Sequence, residues 1–597
     1  AGEREFPLMP LATPAHPGTP ARLLEFASVQ MFVNRAQAAR NDFQLTARNA
    51  AAVAALCEKL EGIPLAIELA AGWAETLTPA QTLQRLERRF DLLVARRRDL
   101  PPRHRTLRAA VESSYEELPA DARRFFARLS VFRGGWTLDA AAGVTGDGDG
   151  AALAHLTELR ERSLVTARPA ADGDVEAYRF AMLETLREFA EEQLPPDEAE
   201  ELARRHAAFY ADLAERAEPG LRGPDQVAWL ERLEREHPNL RAALERSAAD
   251  PGRGDHAVGL RIAASVWRFW MLRGHFAEGR RHLERVLAAP PDEGSRRVRA
   301  AALHGAGCLA RLQGDTAAAR PLLEEALAGM RSAAGTPLNV AMCLQNLAIV
   351  AQDEGDYAAA RAGYEEALAL RRAAGDLDGA ANVLNSLGVL AWDLGDVAAS
   401  RAFHEESVAL RRALGQPPRA AQLFNLASVA DRQGDAAAAR AWYEEGVSLA
   451  RGAGNLHTLA TGLGGLALLA GREGRTAETA AHFSEALRLF LEVGDLGSLA
   501  QTLEGCAAAL ATGGRGDLLP AAARLWGAAA AYRARTGIPL SPGERGEHEL
   551  AVAAARATFG DHLFDAAVAA GSLLAPDRAV EEARAALAAF AGGENNS

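Results

Sequence analysis

A glycine returns about every forty residues through the middle of this chain, at Gly274, Gly314, Gly355, Gly395, Gly434 and Gly474, with intervals of 40, 41, 40, 39 and 40. Self-similarity at such a period confines the segment to a stacked-repeat architecture. Four of these glycines are followed by Asp (Asp315, Asp356, Asp396, Asp435) and, six residues on, by Arg (Arg320, Arg361, Arg401, Arg440). Small residues stand seven and four places before the later glycines: Gly307 and Ala310, Ala348 and Ala351, Gly388 and Ala391, Ala427 and Ala430, Ala467 and Ala470. At that helical spacing they let two helices approach closely. Leu303, Leu344, Leu384, Leu423 and Leu463 supply a buried stripe, and Leu323, Tyr364, His404, Tyr443 and Phe483, nine places after the glycine, are expected to pack one repeat on the next. The unit is a helix, a tight turn and a second helix. In the Gly274 unit Trp267 and Trp270 fill the small slots, as in a terminal repeat with no identical neighbour on one side.

The pattern resembles tetratricopeptide repeats of the longer, forty-residue variety over about residues 255–500. Such solenoids present a groove along their first helices, and Asn346, Asn385 and Asn425 fall on that helix in three successive units. They would either bind a peptide backbone or carboxylate, or hydrogen-bond within the array. Arg320 and Glu324, with their counterparts, are expected to form i,i+4 pairs on a solvated face.

Composition removes several reaction classes. Lys59 is the sole lysine and sits in Cys57-Glu58-Lys59-Leu60, so the sequence holds no G-x-x-x-x-G-K-[ST] phosphate loop and offers little for Schiff-base chemistry. Cys57, Cys308, Cys343 and Cys506 are far apart, which supports neither a zinc ribbon nor a disulfide framework and points to a reducing, cytoplasmic setting. There is no H-E-x-x-H or G-x-S-x-G, and Gly146-Asp147-Gly148-Asp149-Gly150 reads as a flexible connector rather than a calcium loop. No catalytic residues and no metal site are expected, and no apolar run is long enough to span a membrane. A formal charge of -13 argues against a surface built throughout for nucleic acid.

The first part of the chain reads as helices over Leu23–Ala39, Thr46–Leu60, Pro64–Ala74 and Pro79–Phe90. In Glu61-Gly62-Ile63-Pro64-Leu65-Ala66, Gly ends one helix and Pro opens the next, where its missing N–H costs nothing. This segment also resembles the G-[LI]-P-L-A motif in the helical subdomain of NB-ARC-type ATPases, the multidomain signalling NTPases called STAND proteins. In that family the Pro contacts the adenine, so the resemblance implies a nucleotide contact at Pro64. Gly2-Glu3-Arg4-Glu5-Phe6-Pro7-Leu8 is similar to the stretch leaving the family's core sheet, so the phosphate loop and metal-binding strand are expected before Ala1.

Arg103–Val111, Ser113–Pro119 and Phe125–Phe132 look like the winged-helix domain that follows in bacterial members. Strands are expected over Ser163–Ala167 and Ala177–Phe180, joined by the turn-rich Arg168–Asp174. The helix after them starts at Met182-Leu183-Glu184, similar to the M-H-D motif of relatives, with Leu183 where the phosphate-touching His would stand. Residues 85–108 carry nine Arg against Glu87, Asp91 and Asp99. That stretch suits either a phosphate-contacting DNA surface or a linker that neutralises acidic neighbours. Glu236-His237-Pro238-Asn239-Leu240 predicts a bend or a new helix start.

The expected architecture is therefore mainly α: a helical subdomain plus winged helix followed by an α-solenoid of tetratricopeptide-like helix pairs. Its divisions are an NTPase-core remnant (1–20), an NB-ARC-type helical subdomain (21–98), a winged helix (99–195), a helical bridge (196–254), the repeat array (255–500) and a C-terminal helical cap (501–597). The resemblance implies the sensor and regulatory part of a bacterial transcriptional regulator of the LuxR-like or SARP-like kind, using ADP or ATP with Mg held by an upstream core. A protein or small inducer would bind at the repeat groove, self-association would follow activation, and DNA would be met through a domain outside this chain. The alternative is a freestanding repeat scaffold with no nucleotide switch.

Overall fold

The computed structural model describes residues 10–14, 18–86, 107–169, 178–223, 225–249, 256–290, 294–332, 335–536, 540 and 542–592. They form two compact units, residues 1–275 with 281–290, and residues 276–280 with 291–597.

The first unit opens with α1 (Pro20–Leu23), α2 (Ala27–Ala39), α3 (Ala50–Lys59), α4 (Pro64–Ala71) and α5 (Pro79–Arg85) around a core that includes Phe32, Phe43, Leu56 and Ile67. The single helix expected from Leu23 is broken, because Phe26 adopts an extended backbone and starts α2 afresh. The Thr46 start moves to Ala50, since the Asn49 side chain accepts the Thr46 N–H (2.7 Å) and holds that stretch as a turn. Helix α5 begins with a capping box between Thr78 and Gln81.

Helices α6 (Leu107–Glu116), α7 (Ala120–Arg128), α8 (Leu138–Thr145), α9 (Asp149–Glu161) and α10 (Glu184–Glu192) surround a three-stranded antiparallel sheet of order β1-β3-β2. Its strands are β1 (Trp136–Thr137), β2 (Thr166–Pro169) and β3 (Tyr178–Ala181). The strand expected over Ser163–Ala167 is β2 and starts later, because Ser163 has a positive φ and still belongs to the turn ending α9. The connector expected at Gly146–Gly150 is instead a short turn: Gly146 closes α8 in the left-handed conformation, and Asp149 already opens α9. The basic stretch falls largely on residues 87–106, outside the described residues. At its edge Arg108 bonds Glu112 and Glu192, each at 2.8 Å.

Helices α11 (Pro196–Gly220), α12 (Gln226–Ala249) and α13 (His256–Arg273) follow, then α14 (Phe276–Leu287). Of the bend or new helix start expected at Glu236–Leu240, no new start occurs: α12 runs through Pro238 as one helix. Neighbouring side chains, described below, hold it there.

The second unit is built of helix pairs: α15 (Arg296–Leu312) with α16 (Thr316–Ser332), α17 (Pro337–Asp353) with α18 (Tyr357–Ala373), α19 (Leu377–Asp393) with α20 (Val397–Ala413), α21 (Ala420–Arg432) with α22 (Ala436–Gly452), and α23 (Leu456–Arg472) with α24 (Thr476–Val493). Pairing continues in α25 (Leu496–Thr512) and α26 (Leu519–Thr536), and α27 (Pro542–Phe559), α28 (Asp561–Gly571) and α29 (Pro576–Ala591) end the chain. The repeating Asp is a helix cap: Asp315, Asp356, Asp396 and Asp435 each accept the backbone N–H three residues on, at 3.1, 3.0, 2.9 and 3.0 Å. Small residues fit as expected, since a Cβ on Gly388 would stand 2.6 Å from the His404 ring. His404 thus packs within its own pair, whereas Tyr443 and Phe483 lie against Gly465 and Gly505 of the following first helix.

The Arg after each turn does more than pair within its helix. Arg320 reaches Glu354, and Arg440 reaches Glu473 (2.7 Å), each from one pair to the next. Along the second helices a further ladder joins successive repeats: Arg331–Glu366, Arg372–Glu406, Arg412–Glu445 and Arg451–Glu485, at 2.7, 2.5, 2.9 and 3.2 Å. These pairs are about half exposed, so each is worth under about 1 kcal/mol, and the apolar contacts hold the stack.

Candidate functional site

The turn between α3 and α4 is held under strain. Glu61 and Gly62 both have positive φ, 53° and 68°. Left-handed backbone at a non-glycine residue costs about 1 kcal/mol or more. Gly62 has no alternative, for a Cβ there would lie 2.0 Å from the Leu11 carbonyl oxygen. The Leu11 N–H in turn donates to the Gly62 carbonyl at 2.9 Å. Pro64 is the first residue of α4 and is exposed.

The strain aims the Glu61 carboxylate at the start of α10. It accepts the backbone N–H groups of Glu184 (2.7 Å) and Thr185 (3.2 Å), and stands 3.4 Å from the Thr185 hydroxyl. A helix N-terminus offers unsatisfied donors and a partial positive charge, so a carboxylate there is well matched. The helical subdomain and the winged helix are joined at the segment where Met182 and Leu183 stand. Leu183 is the N-cap of α10 and contributes its carbonyl to Arg187, which ion-pairs with Glu184 and Glu191. The sequence marked both segments but gave no sign that they touch.

A second polar cluster ties the winged helix to α11 and α12. Asn239, fully buried, accepts the Arg133 N–H at 2.7 Å and donates to the Gly135 carbonyl and to Glu236 Oε2, both at 2.9 Å. Glu236 also accepts from Tyr210 (3.0 Å) and pairs with Arg179 of β3. His206 Nε2 lies 3.3 Å from Asn239 Oδ1, and burial pushes its pKa down to about 4, so the ring is neutral. A Cβ at Gly134 would meet the Pro238 ring at 2.8 Å, so that ring is seated closely on the winged helix.

The three repeat asparagines share one line. Asn346 Nδ2 lies 3.0 Å from His304 Nε2 and donates to the Met342 carbonyl, while Asn425 donates to Asn385 Oδ1 at 3.1 Å. Asn385 Oδ1 is also 3.1 Å from His404 Nδ1. All three are half-buried and braced within the array. A separate cleft of about 510 Å3 lies over α23 between α22 and α24, lined by Ser448, Arg451, Leu463, His482 and Glu485, and does not include the asparagines. The four cysteines are buried and unbonded to one another, and burial raises the Cys57 and Cys343 thiols to about 12. No described helix is long and apolar enough to cross a membrane.

Known families match two parts of the chain. Residues 118–195 match the winged helix-turn-helix domain family, and residues 299–337, 340–413 and 380–452 match tetratricopeptide repeat families. Over 266 residues, 44% of this chain, the sequence is 33% identical to a Mycobacterium tuberculosis (strain ATCC 25618 / H37Rv) protein named "Putative HTH-type transcriptional regulator". That alignment spans 29% of the relative's length. A second protein of the same strain, called uncharacterized, is 32% identical over 171 residues, 28% of this chain and 42% of its own. Among solved structures, the STAND protein with a tetratricopeptide repeat sensor from Pyrococcus horikoshii aligns at 11% identity and TM-score 0.39, covering 90% of this chain and 73% of that one. The Rap protein complexed with Competence and Sporulation Factor aligns at 13% identity and TM-score 0.33, covering 54% and 88%.

Proposed function

We propose that the winged helix and repeat array form the sensor and regulatory portion of a STAND-type signal-transduction ATPase that regulates transcription. In this reading the chain is a control element and not itself a catalyst. The observation that carries the reading is the strained Glu61 turn clamped to the N-terminus of α10, because it joins the two segments that resemble the family's nucleotide-facing motifs. The exposed Pro64 fits a base-contacting role, while the phosphates and Mg would be held by an upstream core. ADP or ATP bound there would supply a two-state lock. This chain's part is to set how readily the Glu61 joint opens.

A protein, peptide or small inducer would bind the repeat array and shift the population towards the open state, which requires it to prefer that state. Self-association would follow opening, and DNA would be read by a domain beyond these residues. The similarity to transcriptional regulators and the tetratricopeptide matches support a regulatory sensor.

Translating the genomic DNA upstream of the Ala1 codon in frame tests this reading. A phosphate loop followed by an acidic strand within a few hundred codons is expected. A start site close to Ala1 would overturn it in favour of a nucleotide-free scaffold. For the groove, alanine at Asn346, Asn385 and Asn425 together should weaken inducer capture, and unchanged capture would remove the asparagines from the binding surface.

A further inference from the structure

We infer that Glu234, His237 and His275 form a binding site for a divalent transition-metal ion, with Zn2+ the best-matched occupant. One donor atom from each lies within 4.8 Å of the others. Glu234 and His237 are three residues apart on α12, a spacing that puts a carboxylate and an imidazole on one helix face. His275 comes from the turn that closes α13, where Gly274 is left-handed and the His275 N–H returns to the Trp270 carbonyl at 2.8 Å. That turn sets the His275 ring 4.8 Å, centroid to centroid, from the His237 ring, and its Nε2 3.5 Å from Glu234 Oε1.

The repeat pattern gives an independent reason to look here. In four later units the residue after the glycine is an Asp that caps the next helix, an interaction worth about 1 kcal/mol. His275 occupies that place, makes no side-chain cap to α14, and faces α12 instead. Arg475 also replaces the Asp, but it pairs with Glu473 and Glu478 on its own turn. His275 alone in this set spends the position on a metal-ligand donor beside two others.

Two imidazoles and one carboxylate are a hard-to-borderline donor set suited to Zn2+, at about 2.0–2.2 Å per bond, with a fourth position left for water or an incoming ligand. Small rotations of half-buried His275 and exposed Glu234 would bring them to those lengths around the buried His237. Arg273, whose Nε is 3.7 Å from Glu234 Oε2, can remain on the outer carboxylate oxygen while the inner one binds. Phe269 closes one side, 5.2 Å from the His237 ring and 5.7 Å from the His275 ring. A bound ion would staple the end of α13 to the middle of α12, two residues from the Glu236–Asn239 cluster that anchors the winged helix, and would stiffen that anchor. This inference does not depend on a nucleotide core.

The full chain, stripped with a chelator and dialysed, is titrated with Co2+ followed by Zn2+. One Co2+ per chain with the intense visible absorption of a four-coordinate ion is expected, displaced by Zn2+, with a rise in Tm that grows with metal concentration. His275→Ala and Glu234→Gln should each weaken binding by about 100-fold or more while leaving the metal-free Tm near that of the parent, since both side chains reach solvent. Should His275→Ala fail to fold, Glu234→Gln on the exposed face of α12 still decides the matter. No saturable binding, or equal binding by the parent and the Glu234→Gln chain, would overturn the site and leave the His237–Phe269–His275 group as aromatic packing.

Discussion

Replacing Asn239 with Ala should unfasten the winged helix from the bridge helices, and the size of the effect can be worked contact by contact. The Gly135 carbonyl would keep its bond from Arg179 Nη2 (3.0 Å), and Glu236 would keep Tyr210 and Arg179, so neither is stranded. The Arg133 N–H loses the 2.7 Å acceptor offered by the native side chain, at about 1–3 kcal/mol for a donor left unmet. Two further hydrogen bonds at about 1 kcal/mol each bring the total to about 3–5 kcal/mol. Hydrogen exchange read by mass spectrometry gives a local assay, because protection reports the opening free energy of each segment. Peptides over residues 131–137 and 230–245 should lose protection by roughly 100- to 4000-fold, at about 1.4 kcal/mol per decade. Peptides from α19 to α22 serve as an internal control and should not change. Native-like protection over 131–137 would refute the view that Asn239 is the fastener. Asn239→Asp, which sets a second carboxylate against Glu236, should be worse than alanine at pH 8 and recover relative to the parent as the pH falls and the pair takes up a proton.

Glu61→Ala should raise exchange of the Glu184 and Thr185 amides by about 30-fold, for a loss near 2 kcal/mol of charge-assisted bonding at a helix start, and Glu61→Gln should recover part of it; unchanged exchange would dismiss the joint. Gly388→Ala should cost about 1–3 kcal/mol by overpacking against the His404 ring, measured as a lower urea midpoint, whereas Gly464→Ala, in open space, should cost nothing measurable. His206 and His404 have folded pKa values lowered to about 4 by burial, below an unfolded value near 6.5. The unfolded chain therefore binds more protons, so the stability they contribute is present above about pH 6.5 and is lost as the pH falls from there to about 4. The loss approaches about 3 kcal/mol per ring, and His404→Phe should flatten the decline measured by thermal melts between pH 7 and 4.5.

The repeat array was legible because its signal is periodic. Gly at each turn, Asp as cap, and small residues opposite large ones recur four to six times, so each register supports the others. A second set of left-handed glycines, Gly375, Gly415, Gly454 and Gly494, marks the turns between pairs and lies half a repeat away, where the forty-residue comparison did not look. Breaks in regular structure were harder to see. Pro238 suggested a bend or a new helix start because its lost N–H is a local fact, whereas the contacts around this part of α12 come from residues 133–135 and from Tyr210. The first strand of the sheet, Trp136–Thr137, is two residues long and carries no alternation to detect. Glu61 was inside a motif singled out for its Pro, yet its partners are more than 120 residues away, and no spacing rule connects them. His275 was passed over for a related reason, since a metal site drawn from α12 and a later turn leaves no compact signature.

The two units are held together internally by different kinds of force, and this bears on where a switch could be placed. Within the array, Gly307 against Leu323, Gly388 against His404 and Gly465 against Tyr443 are interlocked shapes. Such contacts resist small displacements because any shift opens a void or creates a clash. In the first unit, by contrast, the described contacts of the subdomain with the winged helix include a half-buried carboxylate on two N–H groups and a hydroxyl. Bonds of that kind can be exchanged for water or for another anion at about 2 kcal/mol net, because most of their gross strength in the protein is matched by solvation. The left-handed backbone at Glu61 costs a further 1 kcal/mol or so in the same turn. A ligand that prefers the open state by a few kcal/mol could therefore shift this joint, while the same free energy spread over the interlocked repeats would leave them in place.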